Sequence, residues 1–357
     1  MKVAIVLGTR PEIIKMAPVI RECERRGIDH FVLHTGQHYS YTMDQVFFED
    51  LDLEGAKHNL EVGSGSHAEQ TGKIMAGSED VFAEERPDVV LVQGDTNTVM
   101  AAALAASKMG IKIGHVEAGL RSFDKSMPEE INRVVADHVS DYLFAPTETA
   151  RRYLHNEGLT KGVFVTGNTI VDSVFQAREI AERKSNVLAE LELTAGNYIL
   201  ATAHRAENVD NRRRLEGMLE GMSRVAGTLG TEVVFPMHPR TRGRVREFDL
   251  NPEGIRIVEP VGFLDFLQLE SNARLVLTDS GGVQEETSIL GVPCVTLRDN
   301  TERPETLEVG SNMLAGVSPD RIADAAIEMI KRPRDWKNPY GDGTASEQII
   351  DVLERST

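Results

Sequence analysis

Reactive side chains in this 357-residue chain gather in short clusters, each directly after an apolar run. In Gly8-Thr9-Arg10-Pro11-Glu12-Ile13-Ile14-Lys15, Pro11 presets a helix start, so backbone N–H groups and the helix dipole face whatever precedes it. Arg10 and Lys15 add two cations, and the cluster suits a phosphate although it is neither a Walker loop nor a GxGxxG turn. The plainer reading is a loop arginine beside a Glu12–Lys15 surface pair. Asp279-Ser280-Gly281-Gly282-Val283-Gln284-Glu285-Glu286 offers a second anion site. Its two glycines allow close backbone approach at a helix N-terminus, and Ser280 adds a hydroxyl. Glu286, about one turn in, repels phosphate but accepts both hydroxyls of a ribose, which favours a nucleotide over a bare phosphate. The plainer reading there is a glycine-rich turn.

Carboxylates follow the same placement. Asp95 closes Gln93-Gly94-Asp95, Glu117 lies in His115-Val116-Glu117-Ala118-Gly119, and Glu129-Glu130 follow Pro128. Acid–base work at carbon calls for a base whose pKa is raised by burial or a like charge. Singly, each is also an ordinary cap or solvated pair, and Glu129 and Glu130 fit a first helical turn by its dipole alone. His204-Arg205 and His238-Pro239-Arg240 bring imidazoles and cations to two further strand ends. His115, Glu117 and His138 lack a compact ligand spacing such as HExxH, so no metal site is expected.

The runs that carry these clusters are continuous rather than alternating, as in parallel strands buried on both faces. In the first half they are Val3–Gly8, His30–Gly36, Val89–Gly94, Lys112–Glu117, Tyr142–Pro146 and Val163–Gly167. In the second they are Tyr198–Ala203, Glu232–Met237, Ile255–Glu259, Leu275–Asp279 and Pro293–Leu297. Amphipathic stretches such as Pro11–Arg26, Thr98–Met109 and Arg213–Leu229 lie between them, which predicts doubly wound α/β units. The charged stretch Thr169–Glu192 interrupts the strand series. It sets an expected boundary near Gly167–Asn168: a Rossmann-like domain over 1–167 with the carboxylates, another over 168–335, and a segment 336–357 ending in a helix. Ligands of open parallel sheets sit at the strands' carboxyl ends, so polar clusters there in both halves predict a cleft between the domains.

Composition narrows the function classes. A net charge of −17 argues against binding nucleic acid or anionic membrane through the overall field. Cys23 and Cys294 are far apart and outside any CxxC pattern, which fits a reducing compartment. The opening apolar run is cut by Arg10, Pro11 and Glu12, too early for a signal sequence, and no stretch reaches membrane-spanning length. A soluble cytoplasmic protein is expected.

With these motifs assembled, the whole chain resembles the non-hydrolysing UDP-N-acetylglucosamine 2-epimerases, two-domain proteins of the GT-B type. The likeness includes Gly8-Thr9-Arg10-Pro11-Glu12 with Lys15, Gln93-Gly94-Asp95-Thr96, and His115-Val116-Glu117-Ala118-Gly119-Leu120-Arg121. It continues through Pro128-Glu129-Glu130 with Asn132-Arg133, Val165-Thr166-Gly167-Asn168-Thr169, and His204-Arg205 with Glu207-Asn208. His238-Pro239-Arg240, Asp279-Ser280-Gly281-Gly282 with Gln284-Glu285-Glu286, Thr301-Glu302-Arg303-Pro304-Glu305 and Asn338-Pro339-Tyr340-Gly341-Asp342-Gly343 complete it. The ordered set is far more specific than any one member.

The resemblance implies interconversion of UDP-GlcNAc and UDP-ManNAc at C2, through elimination of UDP to bound 2-acetamidoglucal and re-addition, without a cofactor. It implies a supply of UDP-ManNAc for surface polysaccharide or glycan synthesis, and a homodimer with the last helix back on the first domain. By matching position, Asp95, Glu117, Glu129 and His204 are the catalytic candidates. Arg10, Lys15, Arg133, Val261, Phe266, Ser280, Gly281, Gly282, Glu286 and Arg303 are the candidates for holding the UDP-sugar. Gln37, His38, Gln70 and His238 mark the region where bacterial members bind a second UDP-GlcNAc as activator. There the usual Ala-Gln-His-Arg reads Gly36-Gln37-His38-Tyr39, and the missing arginine puts substrate activation in doubt. Rivals are a hydrolysing 2-epimerase releasing ManNAc and UDP, an epimerase of a modified sugar, a GT-B UDP-sugar glycosyltransferase and a nucleotide-sugar sensor.

Overall fold

In a computed structural model, residues 1–36 and 41–356 are described, the side chains of 41–44 excepted; Gln37 and His38 lie outside this set. The chain divides into two compact units, Met1–Gln176 with Tyr340–Thr357, and Ala177–Pro339. The first unit thus continues past Gly167, because the early turns of the helix Thr169–Lys184 belong to it. Ser173 Oγ donates to the Ile14 carbonyl at 2.7 Å. Asp172 accepts from the backbone N–H and hydroxyl of Ser346 at 2.9 and 2.6 Å, fastening the start of the terminal helix Ala345–Ser356 to the same unit. At that helix's other end, Arg26 bridges Asp351 and Glu354, both at 2.7 Å.

The first unit holds a parallel sheet of β1 (Lys2–Leu7), β2 (Asp29–His34), β3 (His58–Asn59), β4 (Val89–Gln93), β5 (Lys112–Val116), β6 (Tyr142–Ala145) and β7 (Val163–Val165). Their order is β3-β2-β1-β4-β5-β6-β7. The second unit repeats the plan with β8 (Tyr198–Thr202), β9 (Glu232–Pro236), β10 (Ile255–Val258), β11 (Leu275–Thr278), β12 (Cys294–Thr296) and β13 (Asn312–Leu314), ordered β10-β9-β8-β11-β12-β13. All its pairings are parallel too. Strand order reverses at β1/β4 in the first sheet and at β8/β11 in the second. Those switch points are where crevices open in such folds. The strands ending there carry Gly8-Thr9-Arg10, Asp95, His204 and Ser280.

Burial explains the continuous runs. Val3–Leu7 are at most 1% exposed, and Ile199, Leu200, Val276 and Leu277 are wholly covered. Two clusters, one around Val6, Val92 and Ala102 and one around Ile199, Val233 and Leu277, form cores between sheet and helices. No helix among the described residues is long and apolar enough to cross a membrane.

Glycine is required where β5 hands over to the loop bearing Glu117. Gly119 has φ +81°, and a Cβ there would stand 2.5 Å from the Ala150 carbonyl oxygen. Gly119→Ala is therefore expected to cost at least about 2 kcal/mol, from left-handed strain plus overpacking. A urea titration that leaves the unfolding free energy unchanged would contradict this.

Candidate active site

The first unit's polar centre is built on Glu12. Its carboxyl is 2% exposed and accepts from the N–H groups of Gly8 and Thr9 at 2.6 and 2.8 Å, and from Thr96 Oγ1 at 2.6 Å. The Glu12–Lys15 surface pair suggested by spacing does not form. Glu12 instead ties the β1 turn to the β4 turn, and burial pushes its pKa up to about 7 against those three donors. Arg10, at the first position of the helix Arg10–Arg26, places its guanidinium 5.1 Å from the centre of the Phe47 ring.

Lys15 turns the other way and meets Glu117 Oε1 at 2.6 Å. Asn168 Nδ2 donates to the same oxygen at 2.9 Å, and Gln93 Nε2 donates to Oε2. The carboxylate is 6% exposed. Its backbone sits at φ +69°, a conformation that costs a non-glycine residue roughly 1–3 kcal/mol and persists where surroundings over-determine it. Strain and clamping together hold this carboxylate in one orientation at the end of β5.

Beneath it lies a charged network that spacing could not reveal. His115 and Asp137 are both fully buried and meet at 2.6 Å (Nδ1 to Oδ1), while His115 Nε2 faces the Gly94 carbonyl at 2.8 Å. Asp137 Oδ2 also accepts from Gly119 N at 3.1 Å and pairs with Arg121 Nη1 at 2.7 Å. Burial pulls the His115 pKa down, but Asp137 and the Gly94 carbonyl outweigh it and hold the imidazolium above its ordinary range. Asp137 is held below its own range, because His115 and Arg121 outweigh its burial. With both ring nitrogens facing acceptors, His115 is a cation. It fixes the residues flanking both candidate bases: Gly94 before Asp95, and, through Asp137, Gly119 after Glu117.

Asp95 is part-exposed and paired with Arg133 Nη2 at 2.5 Å; Arg133 Nη1 lies 3.2 Å from Glu130. Asn132 Nδ2 holds the Asp95 carbonyl at 2.8 Å. The helix Pro128–Val139 thus carries several acidic and basic groups with separate tasks. Glu130 is buried and accepts from the N–H groups of Ser122 and Phe123 at 2.8 and 3.0 Å, anchoring the preceding loop. Glu129, one residue earlier, is exposed. Arg133, matched by resemblance to the sugar nucleotide, faces Asp95. Gln70 is buried, donating to the Gly63 carbonyl and accepting from Asn97, each at 2.9 Å.

In the second unit, fully buried Asp279 organises the β8 and β11 turns. It accepts from the N–H groups of His204 and Arg205, both at 3.0 Å, and from Asn208 Nδ2 at 3.1 Å. The His204 ring is about half exposed, its Nδ1 3.5 Å from Asp279. Burial, Arg205 and His238 outweigh Asp279 and lower its pKa, so the imidazole is neutral at pH 7 and offers one donor and one acceptor. Ser280 caps the helix Gly281–Leu290, whose first N–H groups have no intrahelical acceptor. Glu286 lies half-buried in that helix. Arg303 Nε pairs with Glu285 at 2.6 Å. Val261 and Phe266 are partly buried against one apolar cluster. His238 accepts from Arg240 N at 3.2 Å and caps the helix Pro239–Glu247.

Within the first unit the structure therefore groups Arg10, Lys15, Asp95, Glu117 and Arg133 around the β1, β4 and β5 ends. Within the second it groups His204, Ser280, Gly281, Gly282 and Glu286 at the β8/β11 switch. Asn168, Gln93, Glu12 and Asp137 were missed as site-building residues. Asp137 stands in the last turn of the helix Pro128–Val139, where nothing distinguishes it from a solvated acid until β5 is placed beside it.

The family model described as UDP-N-acetylglucosamine 2-epimerase matches residues 21–354. A UDP-N-acetylglucosamine 2-epimerase of Methanocaldococcus jannaschii is 54% identical over 99% of both chains. The UDP-2,3-diacetamido-2,3-dideoxy-D-glucuronate 2-epimerase of Pseudomonas aeruginosa is 40% identical over 99% of this chain and all of that one. A crystal structure of the Methanocaldococcus jannaschii epimerase in complex with UDP-GlcNAc and UDP superposes with a TM-score of 0.83, covering 99% of this chain and 100% of the other. Two parallel α/β units of GT-B type, matched along their whole length by these enzymes, place the chain in the UDP-N-acetylglucosamine 2-epimerase family.

Proposed function

We propose that this protein interconverts UDP-GlcNAc and UDP-ManNAc without net hydrolysis. The observation that carries the reading is the pair of carboxylates at adjacent strand ends, Asp95 beside Arg133 and Glu117 clamped by Lys15, in a chain of this family. C2–H of the sugar has no adjoining carbonyl and is not acidic enough for simple deprotonation. In the proposed forward step a carboxylate takes the C2 proton, the C2–H electron pair becomes the C1=C2 bond of 2-acetamidoglucal, and the C1–O pair leaves with the β-phosphate of UDP. The return step puts a proton on the opposite face of C2 while the β-phosphate oxygen re-forms the bond to C1. Asp95, Glu117 and Glu129 share the proton transfers. His204 and the N–H groups at Gly281 and Gly282 hold the diphosphate, and Glu286 accepts the ribose hydroxyls. Arg10, Lys15, Arg133 and Arg303 complete the charge balance, with Val261 and Phe266 at the uracil.

Phosphorus NMR of an acceptor-free incubation with UDP-GlcNAc tests this. The expected result is a second UDP-sugar at equilibrium with no accumulating UDP. Stoichiometric free UDP would make the enzyme a hydrolysing 2-epimerase, and an unchanged spectrum would contradict the proposal.

A further inference from the structure

Glu270 is a fully buried acid in the helix Phe263–Ser271, and the chemistry proposed above makes no use of it. Neither of its carboxyl oxygens meets an N–H or O–H donor among the described residues. Its charged neighbour is the Glu286 carboxyl, which reaches it at hydrogen-bonding range from the adjoining helix. Two carboxylates are both acceptors, so they meet only if one of them carries a proton. Full burial assigns that proton to Glu270, since its ionised form would be desolvated while half-buried Glu286 keeps access to water. Burial and Glu286 together hold the Glu270 pKa well above the carboxylate range. Cys294 is likewise neutral, its thiol pushed up to about 12 by burial first and by Glu270 in smaller part.

We propose that Glu270 is a positioning residue: a neutral carboxylic acid that donates its proton to one Glu286 oxygen and aims the carboxylate at a ribose diol. An apolar residue of the same size would fill the site without the desolvation cost, so the acid is retained at some expense. Phe266 precedes Glu270 by four residues and shares its helical face. One helix thereby supplies the aromatic proposed for the uracil and the support beneath the residue proposed for the ribose. The inference rests on the reading of Glu286 as the ribose acceptor.

The test uses full-length protein and calorimetric titration with UDP and with 2′-deoxy-UDP. Glu270→Met, which keeps the volume and removes the donor, is expected to weaken UDP about tenfold and 2′-deoxy-UDP less than about threefold, in line with one charge-assisted hydrogen bond. Glu270→Gln, which keeps a neutral donor, is expected to stay within about threefold of the parent for both ligands. Unchanged preference for UDP in Glu270→Met, or lost preference in Glu270→Gln, overturns the proposal. Glu286→Gln separates the two layers: if it keeps the parent's preference, the ribose reading itself fails and takes the proposal with it. A direct readout needs no ligand. The infrared difference spectrum of the parent minus Glu270→Gln at pH 7 should contain a protonated-carboxyl C=O band, since any contribution of the buried Glu12 is common to both, and the absence of that difference band overturns the assignment.

Discussion

Replacing Asp95 with Asn is expected to lower kcat for epimerisation by about 10³-fold, the scale of a lost general acid or base. The dissociation constant for UDP should stay within about threefold, because the groups proposed to hold UDP are mostly elsewhere. Asn keeps the shape and can still accept from Arg133, whose Nη2 stands 2.5 Å from the Asp95 carboxylate. What it cannot do is take a proton. That separates the two roles open to this side chain. If Asp95 only anchors Arg133, the loss should be under about tenfold, the scale of one hydrogen bond.

The largest expected change in stability is at Asp137. Asp137→Asn leaves two buried cations, His115 and the 1%-exposed Arg121 side chain, without their shared counter-charge. Breaking such a group costs about 3–5 kcal/mol, readable as a shift in urea midpoint. The pH dependence gives the prediction a sign. The depressed Asp137 contributes stability that is complete above its ordinary 3.8 and is lost as pH falls through the folded value. The raised His115 contributes stability that is complete below 6.5 and is lost as pH rises through its folded value. The parent's contribution from this network is therefore greatest between about pH 4 and 6.5. In Asp137→Asn burial governs His115 and its folded pKa falls, so stability should rise with pH up to about 6.5 and stay flat above it, where the parent's falls. A variant whose slope keeps the parent's sign would show that the imidazolium does not depend on Asp137. Gly94 and Gly119 are both tied to the network, so the variant should also lose activity.

How much of this was legible in the sequence follows from the range of each interaction. Val3–Gly8 and Leu275–Asp279 announced themselves because strands buried on both faces must be apolar throughout. Their polar ends pointed to the switch points by the same logic. Of the four edge strands, Val163–Val165 and Ile255–Val258 were legible and two escaped: His58–Asn59 has two residues and no apolar run, and Asn312–Leu314 has three and borders only β12. Local spacing misled at Glu12 and Lys15. A helix permits their pairing, but Glu12 gains two backbone donors and a hydroxyl by turning inward, and Lys15 gains a buried carboxylate 102 positions away. The functions of Glu129 and Glu130 are equally unreadable from adjacency, since one helical step turns the first outward and the second onto a loop. The end of the first unit at Gln176 depended on Asp172 and Ser173 finding partners at Ser346 and Ile14, contacts between distant parts of the chain.

The central claim is that the C2–H bond breaks and re-forms with solvent-exchangeable acids of the protein while UDP stays bound. Proton NMR of UDP-GlcNAc incubated with the enzyme in D₂O measures it directly. The account predicts that UDP-ManNAc appears with deuterium at C2, and that the remaining UDP-GlcNAc acquires the same label as equilibrium is approached. An epimer that forms with its original proton still at C2 would contradict it.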